Sequence, residues 1–262
     1  MRRRFYAPPE GFARDGASVR LAREETLHLR RVLRLKAGDE AFVFDGAGRE
    51  YACVVALVGE GGGHAETATL EVRGEVEPQS PESPLDLTLA VALLKGEKFD
   101  LVVQKATELG ARRIVPVETK RADVRLLREG RDAAERVARW RRLALEAAKQ
   151  SGRARLPEVS APVELATLLA GEAGAAGVDE ERRLFFTERG GRGLAETVRA
   201  WGVRPAKLTA LVGAEGGWDD EEIAHASAAG WLAVTFGGRV LRAETAAIVV
   251  TGLLQHLCGD LV

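Results

Sequence analysis

The spacing of apolar and polar positions divides the chain into two styles. Over the first 75 residues, short runs of alternating apolar and polar residues are separated by turn formers. They predict strands at residues 2–7, 19–21, 41–44, 50–58 and 67–73, and hence a small β-barrel. Gly59, Gly61, Gly62 and Gly63 fall between the last two, as in a hairpin loop. One stretch breaks the pattern: across residues 24–35, Leu27, Arg30, Arg31 and Arg34 recur at three- and four-residue spacing, so a helix there turns three guanidinium groups to one face. Residues 75–84, EVEPQSPESP, then place three prolines in seven positions and stop both helix and sheet. The expected organisation is a domain at 1–75, a Pro-rich linker at 76–84 and a second domain at 85–262.

From residue 85 strands alternate with helices, the signature of an α/β domain with a largely parallel sheet. Residues 85–94 read as a buried strand, 99–109 as a helix closed by Gly110, and 113–117 as the next strand. Asp132 and Glu135 stand as a capping box before a long helix with the apolar stripe Val137, Trp140, Ala144 and Ala147. After a loose Gly/Ala/Glu stretch at 171–181, strands are predicted at 184–187 and 208–212, with a helix at 194–201 between them. A helix capped by Asp219 and Glu222 follows, then a last strand at 231–236 and an apolar helix at 243–257.

Composition adds exclusions. With 46% hydrophobic and 29% charged residues in 262, disorder, collagen-like repeats and a coiled-coil rod are poor readings. No uncharged apolar run reaches the roughly 18 residues of a membrane span, and the basic start MRRRFYAPPEG leads into no apolar segment, so a cytoplasmic protein without membrane contact is expected. Cys53 and Cys258 make no disulfide framework, and His28, His64, His225 and His256 have no ligand spacing, so no metal is expected. The net charge of −1 hides an asymmetry: residues 1–36 hold ten Lys/Arg against four Asp/Glu, and residues 112–155 hold fourteen against six. Either cluster alone is accounted for by a solvated surface; together they favour a phosphate-backbone partner.

The commonest nucleotide signatures are absent. There is no GxxxxGK[ST], no GxGxxG after a strand, no GxSxG and no HExxH. Present instead is LVGAEGGWDDEE at 211–222, a strand exit with Gly213, Gly216 and Gly217 leading into an acidic helix start. Glycines there let a ligand reach main-chain groups, while the carboxylates disfavour a phosphate and tolerate a neutral or cationic ligand such as S-adenosylmethionine. Packing alone would also account for such a turn. FGGRVLRAETA at 236–246 is a second glycine-bearing exit, flanked by Arg239 and Arg242. Two such exits within thirty residues are expected side by side in a parallel sheet, where open α/β sheets bind ligands.

RRFYAP, HLRRVLRLKAGDE and FDG in the first part, with LLKGEKFDLVVQKATELG, KRADVR, EAAKQSGR, LVGAEGGW and RVLRAETA in the second, resemble the RsmE-type 16S ribosomal RNA (uracil-N3) methyltransferases of the SPOUT superfamily. The match is collinear over nearly the whole chain, with Ala214 where the family commonly has proline. The resemblance implies an N-terminal PUA-like β-barrel for RNA, then a SPOUT α/β trefoil-knot methyltransferase domain, working as a homodimer on 16S rRNA of the small ribosomal subunit. It implies S-adenosylmethionine held by three loops: Phe186, Thr187 and Glu188; Val212, Gly213, Glu215, Gly216 and Gly217; and Phe236, Gly237, Val240 and Leu241. Arg242 becomes the candidate to stabilise negative charge on the uracil, and Glu244 the nearest carboxylate, whose complement to the last helix's N-terminus is a sufficient role on its own. The expected RNA contacts are Arg2, Arg3, Arg4, Arg30, Arg31, Arg34, Arg121, Arg125 and Arg153. A methyltransferase of the same superfamily acting on another RNA, or a non-catalytic RNA-binding assembly factor, are the alternatives.

Overall fold

The computed structural model describes residues 2–58, 67–127, 130–171 and 181–262. The expected glycine loop at 59–63 and nearly all of the loose stretch at 171–181 lie outside the described residues. The chain divides into two compact units: Met1–Glu82 with Ala148–Leu156, and Ser83–Ala147 with Pro157–Val262.

The first unit is built on β1 (Arg4–Tyr6), β2 (Ser18–Arg20), β3 (Glu40–Phe44), β4 (Glu50–Val58) and β5 (Ala68–Val76), joined in the order β1-β3-β4-β5-β2. The β1–β3 pair is parallel and the others antiparallel. Alternation along these strands sends Phe5, Val19, Val43, Val55 and Leu70 into one core with Leu21 and Leu29. Between β2 and β3 the expected single helix is split. A short α1 (Arg23–Leu27) widens into a π-helical turn, His28–Val32, and ends at Arg34, which among the described residues is the one non-glycine at positive φ (53°). The three arginines therefore lie on a widened, broken turn and not on one regular helical face.

Two expectations in this unit are corrected. Arg4 is 7% exposed; its Nε and Nη2 both stand 3.1 Å from the two carboxylate oxygens of Glu50, and Nη2 also donates to the Arg153 carbonyl at 2.9 Å. Arg153, 4% exposed, is paired with Glu82 at 2.7 Å. Guanidinium groups buried in forked pairs hold the fold and are unavailable to an RNA phosphate. The segment expected as a linker is tied down as well: Gln79 N donates to Glu50 at 3.0 Å and Ser80 N to the Gly152 carbonyl at 3.1 Å.

The second unit runs β6 (Asp86–Ala92), α2 (Lys98–Glu108), β7 (Arg113–Glu118), α3 (Gly130–Ser151, its last residues in the first unit), β8 (Glu158–Val159) and β9 (Val163–Glu164). It continues through α4 (Leu165–Ala170), β10 (Arg182–Phe186), β11 (Arg192–Gly193), α5 (Leu194–Ala200), β12 (Lys207–Val212), α6 (Asp220–Ala228), β13 (Leu232–Thr235) and α7 (Ala243–Cys258). Every strand pairing recorded here is parallel, in the order β11-β13-β10-β12-β6-β7-β8 with β9 also on β7. Central strands covered on both faces read as unbroken apolar runs, which is why residues 87–92 and 208–212 are buried almost throughout. Helix α7 buries Ala247, Val250 and Leu254 at helical spacing in the core shared with Phe99, Val102 and Val103 of α2. Gly110, at φ 86°, closes α2 as expected. Helix α3 begins at Gly130, so Asp132 lies within its first turn and is not its cap.

The strand order also corrects the placement of the two glycine exits. β12 and β13 are not neighbours; β10 pairs with both and lies between them. Chain proximity suggested adjacency, but the sheet inserts a strand from earlier in the sequence.

Candidate functional site

The carboxyl ends of β12, β10 and β13 frame one cleft of about 560 Å³. Its wall contains Phe186, Thr187, Glu188, Val212, Gly213, Glu215, Gly216, Gly217, Phe236, Gly237, Val240, Leu241 and Arg242, the residues expected from the two glycine exits and the third loop. Parallel strands end with their backbone groups and connecting loops on the same edge, so the topology brings together residues far apart in sequence.

The wall after β12 is tightly held. Gly217, in the left-handed region at φ 64°, closes a turn by donating its N–H to the Ala214 carbonyl at 3.0 Å. Trp218 stacks on Phe185 with ring centroids 4.7 Å apart and donates its indole N–H to the Phe186 carbonyl at 2.8 Å, which ties this loop to the end of β10. Gly213 faces that indole so closely that a Cβ would stand 2.9 Å from it. Ala214 is buried against Ala92 and Ala122, and Arg121 donates to the Gly216 carbonyl at 3.3 Å. Lys98 reaches in from α2 to Glu215 at 2.6 Å. That hydrogen bond holds the Lys98 ammonium above its ordinary pKa against the cost of desolvation, with Glu244 adding to the rise and Arg242 opposing it.

The acidic start of α6 is largely matched by cations. Asp219 caps the helix, accepting from Glu221 N, and Glu222 completes the capping box by accepting from Asp219 N at 3.0 Å. Glu222 also accepts Lys120 N at 2.7 Å. The Lys120 ammonium pairs with Asp219 and Glu221, and Arg189 stands 3.4 Å from Asp220. The Glu221 backbone N–H, then Lys120, hold the Asp219 carboxyl below the usual carboxylate range.

The wall after β13 is open. Gly237 and Gly238 lie at φ 65° and 80°, with nothing within 4 Å of where their side chains would begin. Phe236 faces Phe186 across the cleft with centroids 5.9 Å apart. Arg242 occupies the N-cap of α7. Glu244 is not on the cleft wall: it is buried in the first turn of α7, and its Oε2 has no hydrogen-bond partner among the described residues.

The expected RNA contacts are dispersed. Arg121 lines the cleft, while Arg125 donates to its own loop's carbonyls, Thr119 at 2.6 Å and Lys120 at 2.7 Å. In the first unit Arg2 donates to the Glu77 carbonyl at 2.8 Å, Arg3 is exposed, and Arg30 and Arg34 border a recess of about 380 Å³ with Lys36, beside exposed Arg31. The sequence reading missed Trp218, Arg189 and Lys36. A tryptophan placed directly after a glycine pair at a strand exit was the available signal for the first of these.

Among the described residues, no group of three or more His, Cys, Asp or Glu could hold a metal ion, and no helix is long and apolar enough to cross a membrane. Residues 81–255 match the family model for an RNA methyltransferase domain, and residues 21–67 match that for an RNA methyltransferase PUA domain. The chain is 34% identical over 241 residues to a ribosomal RNA small subunit methyltransferase E from Synechocystis, covering 92% of this chain and 74% of that one. Its identity with the Mycobacterium bovis protein of the same name is 32% over 244 residues, covering 92% and 87%. The crystal structure of the Neisseria gonorrhoeae ribosomal RNA small subunit methyltransferase E bound to S-adenosyl methionine superimposes with a TM-score of 0.83 at 30% identity, over the full length of both chains. Fold, cleft and sequence thus agree, and the chain belongs to the RNA methyltransferase family of the ribosomal RNA small subunit methyltransferase E type.

Proposed function

We propose that this protein methylates N3 of a uridine in 16S rRNA of the small ribosomal subunit, using S-adenosylmethionine bound in the cleft at the ends of β12, β10 and β13. The observation that supports this most is the chemistry of the wall. Backbone groups from three loops and the apolar side chains Phe186, Val212, Phe236 and Leu241 suit a nucleoside without phosphate. Exposed Glu188, whose carboxylate makes no hydrogen bond or ion pair among the described residues, suits a cation. Bound there, S-adenosylmethionine supplies an electrophilic methyl group on a sulfonium.

The chain's own part is alignment and charge. The Gly213–Gly217 and Phe236–Leu241 walls fix one reactant, and Arg242 stands at the lip where a uracil edge would enter. For N3 to take the methyl it must release its proton, here to solvent water, and negative charge then develops across the ring. The Arg242 guanidinium stabilises that charge as the N–C bond forms and the S–C bond breaks. Buried Glu244 complements the positive end of α7, whose N-cap is Arg242. Arg3, Arg31 and Arg34 of the first unit supply phosphate contacts, and the reading includes a cytoplasmic homodimer.

The test is incubation with labelled methyl donor and small ribosomal subunits, mapping of the modified base, and sedimentation of the free protein. A 3-methyluridine in 16S rRNA is the expected product. RNA binding without donor binding in calorimetry would replace the enzyme by an assembly factor.

A further inference from the structure

Four guanidinium groups line the cleft, and they are not equivalent. Two are spent on the protein itself. Arg121 donates to the Gly216 carbonyl at 3.3 Å and lies 3.8 Å from Asp219, and Arg189 donates to the Trp218 carbonyl at 3.1 Å and pairs with Asp220 at 3.4 Å. The other two, Arg239 and Arg242, are exposed and have no recorded side-chain partner among the described residues. An unpaired cation on a cleft wall contributes nothing to holding that wall, so its chemistry is directed outward.

Arg239 is placed by its backbone. It follows the two left-handed glycines, Gly237 and Gly238, and its N–H donates to the Gly237 carbonyl at 3.0 Å, which fixes where the side chain leaves the main chain. Next to it, Val240 is 78% exposed, an apolar side chain at the lip with nothing covering it. The segment therefore presents cation, apolar surface and cation within four residues, and three residue steps span at most about 10 Å. A nucleotide offers the complementary series: a phosphate, a sugar and base face, and a base edge that becomes anionic.

We propose that Arg239 binds the backbone phosphate next to the target nucleotide, so that this one segment of the cleft reads a nucleotide from phosphate to base, with Arg242 at the base end. The inference rests on the methyltransferase reading above. The same guanidinium chemistry could instead meet the carboxylate of the methyl donor. The phosphate is favoured because Arg239 is exposed, and because a donor carboxylate in the cleft would also meet Glu188, which makes no hydrogen bond or ion pair among the described residues.

Arg239→Ala and Arg239→Lys should be compared with wild type in the full-length protein, on small ribosomal subunits, by initial rates over a salt series and by calorimetry with S-adenosylmethionine. For Arg239→Ala the expected result is a KM for the subunit raised roughly tenfold, kcat within about twofold, and a salt dependence of log KM shallower by about one. Arg239→Lys should regain most of the salt dependence, because a point charge still neutralises one phosphate. A weakened donor affinity with an unchanged subunit KM would overturn the proposal in favour of the donor carboxylate. An unchanged KM and salt slope would overturn it outright. Absence of turnover by wild type would instead refute the underlying enzymatic reading.

Discussion

The two glycine-bearing walls of the cleft look alike in sequence and are built in opposite ways. After β12, the glycines make room for neighbours: the indole of Trp218 sits against Gly213 and the Arg121 side chain against Gly216, and Lys98, Lys120 and Arg121 clamp the loop and the helix behind it. After β13, the glycines make a turn: Gly237 and Gly238 adopt left-handed conformations with open space around them, and Arg239 and Arg242 have no side-chain partner among the described residues. One wall is preorganised to hold a ligand by its main chain, and the other keeps its charge for whatever enters. Under the proposed function both walls touch the donor, and only the second also offers the charge that the reaction calls on.

That contrast can be broken at several points. The largest effect is expected at the open wall: Arg242→Ala should lower kcat by about 10²–10³-fold while leaving donor affinity within about twofold, as calorimetry and single-turnover rates would show. A parallel loss of donor binding would mean that Arg242 belongs to the holding wall. Glycine substitutions come next. Gly213→Ala puts a methyl group into the Trp218 ring and should destabilise the fold by about 1–3 kcal/mol, weakening donor binding as the tie to Phe186 is strained. Gly237→Ala meets no atom and is penalised only by its positive φ, about 1 kcal/mol, so its melting temperature should fall less. Equal losses would erase the distinction between the walls.

The smallest effect concerns pH. The Asp219 carboxyl titrates below its ordinary value, so its stabilising charge is fully present above that value and is lost as pH falls through the lowered one. Asp219→Asn keeps a capping oxygen but no charge. Its melting temperature should lie slightly below wild type at pH 7, and the gap should close below pH about 4. A gap that persists in acid would show that the charge is immaterial.

The cleft was legible because its signals are local. A glycine at a strand exit, a capping box at 219–222 and an arginine before an apolar helix can each be read within a dozen residues. What escaped reading depends on partners distant in the chain. Nothing near Arg4 announces that Glu50 will bury it, and nothing near Arg153 points back 71 residues to Glu82. The insertion of β10 between β12 and β13 is likewise a fact of topology, invisible to periodicity. The helix spanning 24–35 was expected from spacing that a π-helical turn also satisfies until Arg34 ends it.

The assignment of Ala148–Leu156 to the first unit has a practical consequence for dissecting the molecule. No single cut yields both halves intact. Severing the chain in the proline-rich stretch would strip Arg4, Glu25 and Glu82 of groups supplied by residues 148–153, leaving two acids without their counterions and Arg4 without a carbonyl partner. A separately expressed first unit would need that nine-residue strip grafted back on, and a separately expressed second unit would have to be relieved of it.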